Sequence, residues 1–402
     1  MLSAFVDALV LGAGYNTTVV TLGAALLGAA AGAIGAYVLL RRRSLLSDAV
    51  GHATLPGLAL AFILLVALTG DGRWMPGLMA GAALSAALGL ATVEALAHRT
   101  RLKEDAAIGI VLSVFFGAGV VLMTILQSLP TGRQAGISTY LLGSAASMLR
   151  SEAELIAVLS AVLALAVFLF RRRLTLVCFD ASHAAVSGIS VRATDMLLSI
   201  MLLAVVVTSL KVVGVVLSVA LPILPAVASR FWTDRLDSMV LISMVLGATG
   251  AYAGAALSSV APGLPTGALI VLALFLLFLF SLLLAPRRGL LASLLRHHAL
   301  RLRIHQRQGL LALARGEPIY DGLTLRVLRR AGLIRRDGVA TARGVEAAEA
   351  TVAEERLWGA YQRWYPAEAA AAMPERARPL NELLPPDMLE ELTHRLARQE
   401  EP

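Results

Sequence analysis

Charged residues are scarce in this sequence: they make up 15% of its 402 residues, against 58% that are hydrophobic. A water-soluble domain of this length needs more polar surface than that, so the composition points to a polytopic membrane protein. Cysteine is nearly absent. Cys178 alone excludes an intramolecular disulfide, a thiolate cluster and a cysteine-built zinc ribbon. Lysine is almost as rare: only Lys103 and Lys211 occur, and neither follows a glycine. With no G-x-x-x-x-G-K-[ST] stretch, this chain cannot cradle ATP phosphates in a P-loop, and any ATP-driven work draws on another subunit. Alternating segments of about ten residues are also missing, which excludes a membrane β-barrel. Residues 1–10 contain Asp7 and no basic side chain, unlike a cleaved leader, so the first apolar run is expected to act as its own insertion signal.

What the chain does have is apolar runs of about 17 to 25 residues, long enough to cross a hydrocarbon core of about 30 Å as helices. The expected fold is an all-α membrane bundle. Candidate spans lie near 17–40, 48–69, 75–97, 106–127, 152–170, 194–210, 212–229, 237–258 and 265–285. The sixth and seventh are the least distinct, because Pro222 and Pro225 also fit one kinked helix with a re-entrant piece, which gives eight spans. With nine, the basic clusters fall on one side: Arg41–Arg43, Arg99–Lys103, Arg171–Arg192, Arg230 with Arg235, and the tail. The other side keeps Arg73, Arg133, Arg150 and Lys211. The positive-inside rule then puts the N-terminus outside and the C-terminus in the cytoplasm, which favours nine. Residues 1–285 hold 16 basic and 12 acidic side chains and residues 286–402 hold 19 and 15, so the tail is about three times as charge-dense. A boundary at Ala285-Pro286-Arg287-Arg288 therefore separates a transmembrane domain, 1–285, from a soluble domain, 286–402.

Several short stretches stand out against this background. Asp48 and His52, four residues apart in RRRSLLSDAVGHATLP, share one face of a helix within reach of a single cation. A carboxylate oxygen with an imidazole nitrogen suits manganese, iron or zinc, and the lack of thiolates argues against copper(I). The alternative is that Ser47 or Asp48 caps the helix, Asp48 answers Arg41–Arg43, and His52 is a packed polar residue. Two ligands per chain make a weak site, which suits an ion that must leave and which a two-fold partner could complete. Leu176–Ile189, LVCFDASHAAVSGI, reads as a short helix closed by Gly188, either a connector or a docking element. In LKEDAAIGI, Glu104 and Asp105 read as caps for the next span. Tyr140–Arg150 is too short to cross and reads as a re-entrant or interfacial helix. Small residues four apart, Gly28 with Gly32 and Gly77 with Gly81, allow close helix packing.

These stretches, taken in order, resemble the permease subunits of bacterial ATP-binding-cassette importers for manganese, zinc and iron. The resemblance runs through RRRSLLSDAVGHATLPGLALAF from Arg41, LKEDAAIGIVLSVFFGAGVVL from Leu102, YLLGS from Tyr140, FDASHAAVSGI from Phe179, KVVGVVLSVALPILPAVASR from Lys211 and GLPTGALIVL from Gly263. It implies a type II importer-like bundle in the bacterial cytoplasmic membrane, a second permease subunit, a cytoplasmic pair of ATPase subunits, and an extracytoplasmic metal-binding lipoprotein. It further implies that Asp48 and His52 are the intramembrane ligands of the transported ion, with no permanently bound cofactor. Asp180, Ala181, His183 and Gly188 would belong to the ATPase-docking helix. Ala181-Ser182-His183 stands where a proline and an acid are common, which touches the partner-specific contacts.

The tail reads as a basic helix LTLRVLRRAG, two short strands around Asp337-Gly338, and a long helix capped by Thr341. This order resembles the winged-helix domain of repressors of the diphtheria-toxin-repressor type, so an α+β tail is expected. Two departures disfavour DNA binding: 304–323 has room for one helix rather than two before the recognition helix, and MPERARPLNE lacks a His or Cys cluster. A membrane-tethered, metal-responsive regulator of transcription is the competing reading. His297, His298 and His305 read as part of a solvated or lipid-facing basic helix.

Overall fold

The computed structural model describes residues 15–69, 74–128, 143, 150–215, 217–260, 264–373 and 380–400. Arg73, Arg133, residues 1–14 and the expected re-entrant or interfacial segment Tyr140–Arg150 lie outside these, apart from Gly143 and Arg150. Backbone inside hydrocarbon must satisfy its own N–H and C=O groups, so the apolar runs become helices. Among the described residues, eight are long and apolar enough to cross a membrane. They are α1 (Tyr15–Leu40), α2 (Ser44–Thr69), α3 (Met75–Arg99), α4 (Glu104–Ser128), α5 (Arg150–Phe179), α7 (Val191–Ser209), α9 (Leu236–Ser258) and α10 (Thr266–Leu284). The six-residue α6 (Ala181–Val186) joins α5 to α7.

The expected seventh span, 212–229, is not a membrane-length helix. After α7 the chain runs through turns and forms only the eleven-residue α8 (Ala220–Arg230). Gly214 at φ +87° leaves the helical region, and Pro222 and Pro225 withhold two amide donors, so a continuous helix has no support here. The segment still changes ends. Lys211 pairs with Glu152 in the first turn of α5, whereas the Phe231 carbonyl accepts from the Arg288 amide beyond the far end of α10.

Two groups of helices make up this bundle. α1 packs most extensively on α9 and also touches α5, α7 and α8, while α2 packs on α3 and α4. The α1–α9 crossing is close because it uses glycine: a Cβ on Gly28 would land on the Gly247 carbonyl, and one on Gly247 would land on that of Gly28. One turn away, the Ser243 hydroxyl donates to the Gly32 carbonyl at 2.7 Å. Small residues and an interhelical hydrogen bond are what hold helices together where lipid removes the hydrophobic drive.

Residues 1–290 and 291–402 form two compact units. The second holds most of α11 (Leu290–Arg315), then α12 (Gly322–Arg330), α13 (Ala342–Trp364), α14 (Pro366–Ala372), α15 (Leu380–Leu383) and α16 (Pro386–Glu400). The α+β expectation is not met: among the described residues there is no strand, only an isolated antiparallel bridge between Ile334 and Ala340. The hairpin is too short. Its bonds, Arg335 amide to Val339 carbonyl and Thr341 amide to Leu333 carbonyl, end where Thr341 caps α13 through the Gly344 amide, and no third strand supports them. One helix, α11, precedes α12, as the spacing required. Leu310, Leu328, Ile334 and Ala348 form one small core, and Trp358, Tyr361, Leu380 and Leu392 another.

Asp321 caps α12. Its carboxylate accepts from the Thr324 hydroxyl at 2.6 Å and the Thr324 amide at 2.8 Å, with His305 Nδ1 3.0 Å away. The Thr324 hydroxyl bond first, then the amide bond, hold its pKa at about 2, below the usual 3.8. A carboxylate whose folded value is depressed stabilises fully above its unfolded value and loses that contribution as pH falls through the folded one. Amide-exchange protection of 322–330 should therefore be constant above about pH 4 and decline towards pH 2, and Asp321→Ala should remove the decline. Gly28→Ala should destabilise the detergent-solubilised protein by about 1–3 kcal/mol in thermal unfolding. Gly109→Ala, where a Cβ meets nothing within 4 Å, should be neutral or slightly stabilising.

Candidate metal centre

The site begins with the turn between α1 and α2. Arg42 has φ +58°, the only non-glycine residue with positive φ among the described residues. The Arg42 amide donates to Leu39 and the Arg43 amide to Val38, closing α1 as a glycine-type cap would. A side chain in this conformation costs of order 1 kcal/mol, which the surrounding contacts must offset. Arg41 makes a two-pronged pair with Asp195 of α7, Nε to Oδ1 at 2.9 Å and Nη2 to Oδ2 at 2.5 Å, and its Nη1 donates to the Val177 carbonyl of α5. Arg43 instead reaches Glu104 of α4 at 3.1 Å and Glu94 of α3 at 3.6 Å. The turn thus ties α1 to α5 and α7 on one side and the start of α2 to α3 and α4 on the other.

Because acids from other helices hold Arg41 and Arg43, the reading that Asp48 answers them fails. Capping by Ser47 or Asp48 fails as well, since α2 starts at Ser44 and both lie inside it; the Ser47 hydroxyl donates back to Ser44. Glu104 does lie in the first turn of α4, but it also pairs with Arg43.

Asp48 Oδ1 and His52 Nε2 lie 3.4 Å apart on one face of α2. That is long for a hydrogen bond and matches two ligands about 2.1 Å from a shared ion, subtending an angle of about 108°. The imidazole packs edge-on against Phe116 of α4, centroids 4.9 Å apart, and its buried Nδ1 has no hydrogen-bond partner. Pro56, one turn on, supplies no amide to the His52 carbonyl. Asp48 opens onto a cavity of about 850 Å³ whose lining is otherwise apolar or hydroxyl, including Leu217, Ile223, Leu272 and Phe275. No group of three or more His, Cys, Asp or Glu able to hold a metal exists among the described residues; they offer His–carboxylate pairs only, Asp48–His52 on α2, Glu94–His98 on α3 and His305–Asp321 outside the membrane unit.

The second predicted element is built differently from its sequence reading. Leu176–Phe179 continues α5, and the break comes at Asp180. Asp180 caps α6 by accepting from the His183 amide at 2.8 Å, and Gly188, at φ +79°, lets the Ile189 amide return to the Ala184 carbonyl. Ala184 is buried, while His183, Phe179 and Val186 are exposed. The exposed rim of this six-residue helix mixes apolar Phe179 and Val186 with polar Ser182, His183 and Ser187. Asp180, Ala181, His183 and Gly188 lie between the end of α5 and the start of α7, the two helices that Arg41 contacts through the Val177 carbonyl and Asp195.

Sequence reasoning missed Asp195, Glu94 and the Glu152–Lys211 pair, which is 3.4 Å apart with both side chains nearly buried. A lone acid inside an apolar run was the available signal for Asp195, since a charge in a membrane needs a partner.

The sequence profile of the ABC 3 transport family matches residues 15–285. The chain is 43% identical over 298 residues to the manganese transport system membrane protein MntC of Bacillus subtilis, covering 74% of this chain and 67% of that one. It is 38% identical over 282 residues to the zinc transport system membrane protein TroC of Treponema pallidum, covering 70% and 93%. Among solved structures, PsaBC from Streptococcus pneumoniae in complex with Fab matches with a TM-score of 0.61 at 29% identity, covering 72% of this chain and 98% of that one.

A double-mutant cycle on Arg41→Met and Asp195→Leu, read by chemical unfolding in micelles, should give a coupling of about 2 kcal/mol. Each single variant should be worse than the double, because it strands one charge. A coupling near zero would show that the pair does not anchor the turn.

Proposed function

The chain belongs to the ABC 3 transport family, and on that premise we propose how its site works. It is the membrane permease subunit of an ATP-binding-cassette transporter for a divalent transition-metal ion, manganese, zinc or iron, and is not itself an enzyme. In our reading Asp48 and His52 hold the ion in transit. The observation that carries this is the 3.4 Å pair on α2, with Asp48 the one ionisable side chain among the described residues that line the 850 Å³ cavity. Two mixed oxygen and nitrogen ligands bind such ions without selecting sharply among them. A second permease copy would bring its own Asp48 and His52 to the same axis and complete a four-ligand shell. The cavity beside Asp48 is open on one side, which leaves room for such a neighbour.

Asp180–Gly188 would receive ATPase subunits in the cytoplasm, which supply the free energy this chain cannot draw from ATP, and an extracytoplasmic lipoprotein would deliver the ion. With the N-terminus outside, the Arg41 end of the bundle is the cytoplasmic one. ATPase closure at α6 would then reach α7 and, through Asp195 and Arg41, the start of α2. The domain boundary at 285/286 separates this machinery from a cytoplasmic tail. The permease reading is favoured over the tethered regulator, because the family match covers the membrane region and the described residues of the tail form no strand-built wing.

Proteoliposomes holding this chain with its ATPase and binding protein should take up manganese or zinc only with ATP on the ATPase side. Asp48→Ala with His52→Ala should reduce uptake to background while leaving ATP-dependent coupling of the complex measurable. Normal uptake by the double variant would remove the pair from the ion's path.

A further inference from the structure

The last span leads into a helix whose first half is uncovered. α10 ends at Leu284, and the Gly289 amide turns back to the Ala285 carbonyl, so α11 starts at Leu290 close to the end of the span. Leu290, Leu291, Leu294, Leu295, Leu300 and Ile304 are between 41% and 66% exposed. The fully buried residues of α11, Gly309 and Leu310, both lie in its second half. At 100° per residue the first four of those leucines fall within an arc of about 140° that also takes in Leu302 and His298; Ser293, Arg296 and Arg303 lie on the opposite side, His297 borders the arc, and Leu300 and Ile304 fall outside it. Charge is one-sided too: no acid occurs from 238 to 316, while Arg296, Arg301 and Arg303 follow Arg287 and Arg288, which pair with Asp234.

We propose that Leu290–Arg303 lies along the bilayer surface, its leucine arc at the headgroup–acyl boundary and its arginines on the phosphates of anionic phospholipids. Continuity with α10 places the helix start where headgroups are. The unpaired leucine face needs an apolar neighbour, and the acid-free sequence selects a negatively charged one. Arginine stems extend along the apolar boundary while their guanidinium groups reach the phosphate layer, so Arg301, which falls at the edge of the arc, also fits. The segment thereby tethers the 291–402 unit to the membrane. This inference rests on the chain being a multi-pass membrane protein and on nothing at the metal site.

The test uses the full chain carrying Cys178→Ser and Leu294→Cys, labelled with an environment-sensitive fluorophore, in vesicles of phosphatidylcholine and phosphatidylglycerol in equal parts. Quenching by shallow spin-labelled lipid and protection from iodide is the expected result. Adding Arg301→Gln and Arg303→Gln should lower the ratio of lipid-quenched to iodide-quenched label about 25-fold, some five-fold per arginine. Vesicles of phosphatidylcholine alone should lower that ratio too. A label open to iodide in both kinds of vesicle overturns the proposal. So does one shielded from both quenchers, which would place protein, such as a second copy, over this face.

Discussion

The two-pronged pair between Arg41 and Asp195 is the constraint on which the membrane unit depends. Two hydrogen bonds in one plane fix both distance and orientation, as a lysine could not. With α1 thus locked to α7, and to α5 through the Val177 carbonyl, the chain has only the strained Arg42 turn in which to reverse before α2. Arg43 completes the reversal by binding acids of α3 and α4. The Asp48–His52 face of α2 is therefore positioned by Arg41 and Arg43, in the turn before it, and the left-handed conformation of Arg42 is maintained because both neighbours are tied in different directions.

Seen this way, the cluster of charges at the mouth of α2 separates into two functions. Arg41 and Arg43 are held by interhelical acids, which leaves the Asp48 carboxylate with His52 as its described partner. An anion not committed to a guanidinium is free for a passing cation. The edge-on Phe116 ring packs against the imidazole, whose buried Nδ1 has no competing hydrogen-bond partner. A pair of ligands per chain binds weakly, and weak binding suits an ion that must leave again.

Much of this was legible in the sequence, for identifiable reasons. The eight long helices announce themselves by apolar length, since the bilayer admits little else, and their ends agree closely with the expected spans apart from α5, which runs on to Phe179. The Asp48–His52 face was legible because i,i+4 spacing is a local property. Segment 212–229 was not, because hydropathy cannot tell an apolar helix from apolar turns when Gly214, Pro222 and Pro225 interrupt it. Asp195 was invisible as the partner of Arg41, being 154 residues away. The tail misled for a related reason. Leu333–Thr341 has hairpin chemistry at Asp337-Gly338, yet strands need neighbours to persist and none is supplied, so one bridge remains.

The central claim is that Asp48 and His52 jointly hold the transported ion. Anomalous diffraction from crystals of the permease complex soaked in manganese or zinc tests it without relying on turnover. The account predicts a peak about 2.1 Å from both Asp48 and His52, on the axis between two permease copies. A peak elsewhere in the membrane unit, with both side chains turned towards lipid, would contradict it.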